Sequence, residues 1–160
     1  MKTRDAVPAL PERARDAHKG DFGRVLVLGG SRGMIGAAAL AGKSALRTGA
    51  GLCTVATPAS CYPILAAKLT CCTTHPLPET SDATLTHAGR AAILELAEAF
   101  DAVALGPGLG RHRETTRLVA SLVRHVGKPM VIDADGLNAL AEDTSPLQRA
   151  KGPRVVTPHP

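Results

Sequence analysis

The chain has 160 residues, the size of one domain with a substantial core. Its net charge of +5 is modest, and with no Trp, one Tyr and two Phe it lacks the aromatic side chains on which single-stranded nucleic acids stack. No apolar run is long enough to span a membrane, and the charged, proline-containing segment Met1–Asp16 is unlike a signal peptide. We therefore expect a cytoplasmic protein with no nucleic-acid or membrane partner.

Residues 1–17 predict an irregular lead-in, and strand and helix signals alternate over residues 18–160. This alternation is typical of an α/β fold with a mostly parallel sheet and helices on both faces. The predicted elements are, in chain order, strand Arg24–Leu28, helix Ile35–Arg47, strand Leu52–Ala56, helix Ser60–Lys68, a weaker strand near Leu69–Thr73, helix Thr86–Ala99, strand Ala102–Leu105, helix Glu114–Val126, strand Met130–Ile132, helix Gly136–Ala141 and strand Arg154–Thr157.

The carboxyl ends of the predicted strands carry the most distinctive residues. Ligands of parallel α/β sheets bind beyond these ends, which fall here at Gly29, Gly106, Asp133 and Thr157. The sequence therefore predicts a ligand site built from four separate loops along one edge of the sheet.

The first of these loops, Gly29–Gly36, contains four glycines between a strand and an alanine-rich helix. Glycine lets a backbone approach a bulky ligand, and the N–H groups at the start of the helix suit an anion. The loop therefore suits a bulky, anionic ligand. The alternative is a strand-to-helix turn that needs small residues for packing.

The second loop, Gly106–Gly110, has three glycines and a proline. The N–H groups of Gly108 and Gly110 are predicted to hold the ribose or phosphates of a ligand. A plain turn between strand and helix is the alternative. The cluster Arg111, Arg113, Arg117 and Arg124 follows it and suits either an anion-attracting surface or a solvated helix face.

Two carboxylates and an amide follow a buried strand at Asp133, Asp135 and Asn138. Either aspartate could cap the next helix. The same groups also suit Mg²⁺ that is held through water and nucleotide phosphates. His159 lies between two prolines, which stiffen its backbone and favour a positioned contact.

Four ordered motifs together resemble the NAD(P)H-hydrate dehydratases, a ribokinase-like family of repair enzymes. The first begins at His18 and consists of H-K-G-x-x-G, a strand, G-G-S and G-A-A-x-L-A. The other three are A-L-G-P-G-L-G (Ala104–Gly110), V-I-D-A-D-G-L-N (Val131–Asn138) and V-T-P-H-P (Val156–Pro160). The resemblance implies dehydration of (6S)-NAD(P)H hydrate to NAD(P)H, through phosphorylation by ADP or ATP with Mg²⁺ and loss of phosphate. It also implies a substrate site at Ala37, Gly110, His159, Asp133, Asp135 and Asn138, and nucleotide contacts at Gly30 and Gly108. From the sequence alone, Ala37 would be a core residue.

The family's glycine-rich G-T-G-D segment, which carries its catalytic aspartate, has no counterpart in these 160 residues. We therefore interpret residues 18–160 as the N-terminal part of the dehydratase domain, with a sheet that is incomplete at its C-terminal side. A complementing C-terminal segment or a homo-oligomer is the expected partner. The alternatives are another ribokinase-like small-molecule kinase and a non-catalytic nucleotide-binding fragment.

Overall fold

Residues 12–159 are described by the structure, a computed structural model. The strands are β1 (Arg24–Leu28), β2 (Leu52–Pro58), β3 (Thr73–Leu77), β4 (Ala102–Leu105), β5 (Met130–Ile132) and β6 (Arg154–Val156). The helices are α1 (Ile35–Arg47), α2 (Tyr62–Lys68), α3 (Arg90–Glu98), α4 (Arg113–His125), α5 (Asp135–Asn138) and α6 (Ser145–Gln148). Most of the predicted lead-in, residues 1–11, lies outside the described part, as does Pro160.

The six strands form one parallel sheet in the order β3-β2-β1-β4-β5-β6. The predicted α/β fold with a parallel sheet is therefore confirmed. The sheet grows in one direction from β1 to β3 and in the other from β4 to β6. At such a reversal the loops after the two central strands diverge to opposite faces and leave a crevice for ligands. Here those loops follow β1 and β4.

Helices cover both faces of the sheet. Leu26 and Leu28 of β1 pack in a cluster with residues of α3 and α4, such as Ile93 and Leu118. Val27, which alternates with them, packs against α1 and α2 in a second cluster. Strand residues alternate between faces, so β1 is buried on both sides, as is usual in parallel sheets.

The face covered by α1 becomes exposed towards β6. Val27, Ala104, Val131 and Val155 are in register across four strands and so lie in one row. Val27 is fully buried, whereas Val131 is 40% and Val155 is 57% exposed. We call Val131 and Val155 the open face. Parallel sheets are normally covered on both sides, so these two valines lie where a covering layer is expected.

Most predicted elements are confirmed, and the exceptions have local reasons. The weak strand near Leu69–Thr73 was placed too early, because Leu69 is buried at the end of α2 and the strand begins at Thr73. The predicted helix Thr86–Ala99 begins as a 3₁₀ turn at His87–Gly89. Helix α6, which is four residues long, was not predicted. Among the described residues, no helix combines the length and apolar character needed to cross a membrane.

Candidate functional site

The loops after β1 and β4 are joined by two hydrogen bonds. The Gly30 N–H donates to the carbonyl of Pro107 at 2.8 Å. The buried Ser31 hydroxyl donates to the carbonyl of Gly108, also at 2.8 Å. Because these contacts close the crevice between the two loops, a ligand has to lie over or beside the joined loops.

Two glycines allow this contact. Gly108 has φ +68°, and a Cβ atom there would lie 2.5 Å from the carbonyl oxygen of Met34. A Cβ at Gly30 would lie 2.8 Å from the hydroxyl of Thr57. Side chains are rarely tolerated in such positions. Packing between the loops therefore accounts for both glycines, and their predicted nucleotide contacts stay predictions.

A cleft of about 320 Å³ lies beside the joined loops, and we call it the α1 cleft. One wall is a flank of α1, and the other is formed by the ends of the loops after β4 and β5. Three predicted site residues, Ala37, Gly108 and Asp133, come together here. Its lining is Ala37, Leu40, Ala41, Ser44, Pro107, Gly108, Asp133 and Ala134.

A second cleft of about 420 Å³ lies on the other side of the glycine loop, and we call it the α4 cleft. Three more predicted residues, Gly110, Asp135 and Asn138, come together there. Its lining is Gly110, Arg111, Arg113, Thr116, Asp135, Asn138, Ala139, Ala141 and Glu142. The predicted site is thus divided between two neighbouring clefts.

The division originates in the turn after β5. Ala134 has φ +47° and ψ −116°, and the Gly136 N–H donates to the Asp133 carbonyl at 2.8 Å. These angles match the first central position of a type II′ turn, which normally requires glycine. The turn sends Asp133 to the α1 cleft and Asp135 to the α4 cleft.

Asp135 connects the two loops that border the α4 cleft. Its carboxylate accepts the Gly110 N–H at 2.9 Å and the Asn138 side-chain amide at 3.0 Å. The capping alternative is wrong for the next helix, because α5 begins at Asp135 and its N-cap, Ala134, makes no side-chain cap. The Gly110 N–H is already bonded to Asp135, so a ligand contact at Gly110 would have to use other atoms of that residue.

The last described residues of the chain contact the turn after β5 but do not line either cleft. The Thr157 hydroxyl donates to the Asp133 carboxylate at 2.6 Å, which ties the end of β6 to the turn after β5. His159, the last described residue, is exposed and lines neither cleft. Its predicted substrate contact therefore stays a prediction.

The arginine cluster is divided as well. Arg111 and Arg113 line the α4 cleft, where the Arg111 guanidinium lies 3.9 Å from Asp135. Arg117 instead pairs with Glu114 on the exposed side of α4 at 3.0 Å. Arg124 lines neither cleft of the site, so an anion-attracting role in the α4 cleft is open to Arg111 and Arg113.

Three features of the site were not predicted from the sequence. The flank of α1 in the α1 cleft also includes Leu40 and Ser44. With Ala37 and Ala41 they follow the i, i+3, i+4, i+7 spacing of one helix face, and this spacing was the available signal. The hydroxyls of Ser31 and Thr57, both buried, gave no sequence signal beyond their places beside the loops.

The donor groups fit a metal only in part. The described residues contain no group of three or more His, Cys, Asp or Glu side chains that could hold a metal ion. One carboxylate, Asp133, is available in the α1 cleft. Mg²⁺ in nucleotide sites commonly keeps several water ligands and binds one or two carboxylates plus phosphates. With one carboxylate in the cleft, the described residues suit a Mg²⁺ ion of this kind and not one held by protein ligands alone.

Comparison with known proteins gives consistent matches. A family model described as NAD(P)H-hydrate dehydratase matches residues 25–160. A bifunctional NAD(P)H-hydrate repair enzyme of Moorella thermoacetica is 48% identical over 151 residues, which are 94% of this chain and 28% of that protein.

Solved structures agree on the fold. An ADP/ATP-dependent NAD(P)H-hydrate dehydratase from Bacillus subtilis, co-crystallised with ATP/Mg²⁺, matches with TM-score 0.71 and 34% identity over 94% of this chain and 49% of its own. A ribokinase-like superfamily protein from Enterococcus faecalis matches with TM-score 0.73 and 23% identity over 92% of this chain and 49% of its own. The predicted ribokinase-like fold is thus confirmed, and the chain spans about half of each solved relative.

Proposed function

Because the chain belongs to the NAD(P)H-hydrate dehydratase family, we propose that it forms the substrate-binding half of an ADP- or ATP-dependent enzyme that converts (6S)-NAD(P)H hydrate back to NAD(P)H. The observation that carries this proposal is the gathering of motif residues from three loops and α1 at one edge of the sheet. Six of them line two adjacent clefts.

The proposed reaction has two steps. The hydroxyl group on the hydrated ring attacks the terminal phosphorus of the nucleotide, so that an O–P bond forms and the bond to the leaving nucleotide breaks. The ring C–O bond then breaks and inorganic phosphate leaves, a proton is lost from the neighbouring ring carbon to solvent, and the C–H electron pair becomes the C=C bond of the reduced nicotinamide. A base must accept the hydroxyl proton, and we propose that it comes from outside residues 12–159.

The chain's own residues would bind and orient the substrate. Ala37 keeps the α1 cleft open, since a larger side chain there would fill it. Asp135 fixes the shape of the glycine loop through Gly110. We further propose substrate contacts at Asp133, Asn138 and His159, and nucleotide contacts at the loop glycines Gly30 and Gly108.

Mg²⁺, if bound, would neutralise negative charge on the nucleotide phosphates. Asp133 is the carboxylate best placed to contribute a ligand from the α1 cleft. The Thr157 hydroxyl bonded to this carboxylate would hold its orientation. We propose that phosphates and water supply the remaining ligands.

The open face supports a further part of the proposal, a complementing polypeptide segment. Val131 and Val155 are exposed where a second layer is expected, and the family's single-function relatives are about twice as long as this chain. We propose that a segment like their second half covers this face. We also propose that the protein acts in the cytoplasm, where free thiols such as its four cysteines persist.

The test is absorbance at the reduced-nicotinamide band, with chemically hydrated NADH, Mg²⁺ and either ADP or ATP. We compare the chain alone with the chain mixed with, or fused to, the second half of the Bacillus subtilis dehydratase. A nucleotide-dependent rise in the completed protein supports the proposal. A stable phosphorylated product without that rise would favour a small-molecule kinase, and binding without turnover would favour a non-catalytic fragment.

A matched pair of substitutions connects the activity to the site. Asp133→Asn should lower the rate of the completed protein at least tenfold, because it removes the charge in the α1 cleft. Asp143→Asn is the control, since the hydrogen bonds of this exposed aspartate within residues 12–159 are to Ser145 alone. Equal rates for the two variants would contradict the assignment of Asp133.

A further inference from the structure

Two cysteines lie opposite each other near one end of the sheet and line neither cleft of the proposed site. Thr54 of β2 is in register with Thr73 of β3. Cys53 and Cys72 each come one residue earlier, so they continue the same register. Neighbouring strands are about 4.8 Å apart, which is within the Cα separation that a disulfide spans.

The two sulfur atoms also face the same point. A Cβ atom built on Gly42 of α1 would lie 3.4 Å from the Cys72 sulfur and 3.8 Å from the Cys53 sulfur. Because Gly42 has no side chain, α1 leaves room for the sulfur pair between the helix and the sheet.

The two thiols differ in access. Cys53 is buried, whereas Cys72 is partly exposed and lines a cleft of about 340 Å³, which we call the cysteine cleft. Lys43 and Arg47 also line this cleft. A small anionic reagent can therefore reach Cys72 directly, and it can reach Cys53 only through Cys72.

The environment sets the order of reaction. Burial raises the pKa of Cys53 to about 12, so this thiol remains protonated at neutral pH. Burial and the neighbouring Cys71 also raise the pKa of Cys72, and the charge of Lys43 opposes this effect only in part. The thiolate is the attacking species in disulfide exchange, and Cys72 reacts before Cys53 because it is the member of the pair that is partly exposed.

We propose that Cys72 and Cys53 form a redox-active dithiol that small anionic disulfides oxidise through the cysteine cleft. The Cys72 thiolate attacks the external disulfide, forms a mixed disulfide and releases one external thiol. Cys53 then loses its proton and attacks the Cys72 sulfur, and the second external thiol leaves. The protein dithiol is oxidised to a Cys53–Cys72 disulfide, and one external disulfide is reduced to two thiols.

The probe is oxidised glutathione, an anionic disulfide, added to the folded, reduced chain. Intact mass and peptide mapping should reveal a loss of two hydrogen atoms and a peptide pair joined through Cys53 and Cys72. Cys53→Ala should stop at a glutathione adduct on Cys72. Cys72→Ala should leave Cys53 unmodified. Neutral hydroxyethyl disulfide should react several-fold more slowly than oxidised glutathione, and Lys43→Gln should reduce that difference.

The chain offers matched controls. Cys61 is buried elsewhere and Cys71 is exposed beside the pair, so Cys61→Ala and Cys71→Ala should still form the internal disulfide. Four free thiols after incubation would overturn the proposal. A Cys71–Cys72 disulfide, or an adduct on Cys71 alone, would overturn it as well. None of these readouts depends on dehydratase activity.

Discussion

Asp135 and Gly110 lie 25 residues apart in the sequence and are joined by a hydrogen bond of 2.9 Å from the Gly110 N–H to the Asp135 carboxylate. The bond fixes the glycine loop after β4 to the turn after β5. A carboxylate that bonds a backbone N–H in a partly buried position is among the stronger hydrogen-bond acceptors in proteins.

Replacing Asp135 should loosen this connection. We expect Asp135→Ala to lower the free energy of unfolding by about 2 kcal/mol, measured by urea denaturation. Asn138→Ala, which removes only the amide that donates to the same carboxylate, should cost about 0.5 kcal/mol. Equal losses for the two variants would show that the Gly110 bond contributes little.

Gly108 should not tolerate a side chain. Gly108→Ala places a methyl group 2.5 Å from the Met34 carbonyl oxygen at a positive φ, so we expect a loss of about 2 kcal/mol in stability. The matched control is Gly36→Ala in α1, where a Cβ would meet no atom of the described residues within 4 Å. That change should stabilise the protein by about 0.5 kcal/mol. Thermal and urea unfolding of both variants measure the contrast, and a stable Gly108→Ala would contradict the packing of the loops.

Thr57 offers a stabilising substitution. Its hydroxyl is fully buried and has no hydrogen-bond partner among residues 12–159. Thr57→Val should therefore raise the free energy of unfolding by about 1 kcal/mol, since it removes a desolvated polar group and keeps the shape.

Thr115 is the comparison for Thr57. Its hydroxyl is also buried but donates to the Leu85 carbonyl at 2.7 Å. We expect Thr115→Val to lower the free energy of unfolding by about 2 kcal/mol. If both valine variants were destabilised, Thr57 would have to be bonded in solution, for example to a buried water molecule.

Cys53 should make the folded state sensitive to alkaline pH. Its pKa is about 12 in the folded chain and 9.0 in its ordinary state. Between these values the unfolded chain releases the thiol proton and the folded chain retains it. Stability should therefore be unaffected by this thiol below about pH 9 and fall above it, by up to about 1.4 kcal/mol per pH unit.

The measurement is urea denaturation under reducing conditions across that alkaline range. Cys53→Ala should have a shallower decline than the parent chain, whatever its stability at neutral pH. The control is Cys71→Ala, which removes an exposed thiol, keeps the Cys53 thiol and should retain the parent's slope. Identical slopes for the parent and Cys53→Ala would contradict a raised pKa.

The sequence predicted the central strands accurately because apolar runs stop at glycine or aspartate. Strands β1, β4 and β5 and helix α1 have the predicted bounds. Strand β3 was misplaced because Thr73, His75 and Pro76 carry weak strand signals, and a proline is tolerated at the sheet edge that β3 occupies. Helix α6 is too short for helical periodicity to indicate it.

The candidate site was predicted as a set of loops but not as two clefts. The division depends on the positive φ of Ala134, and alanine does not indicate such a conformation in a sequence. The hydrogen bond between Asp135 and Gly110 was also unpredictable, because the short motif around Asp135 suits either a helix cap or a metal ligand. The role of this carboxylate depends on a contact with a residue 25 positions away.

The central position of β1 also determines the order in which the sheet can assemble. Val25 pairs with Cys53 of β2 and with Ala102 of β4, which lies much farther along the chain. Closing the longer connection costs about 0.9 kcal/mol more in chain entropy. We therefore expect the β1-α1-β2 unit to fold first during synthesis, with β4 to β6 added to its free edge as they leave the ribosome.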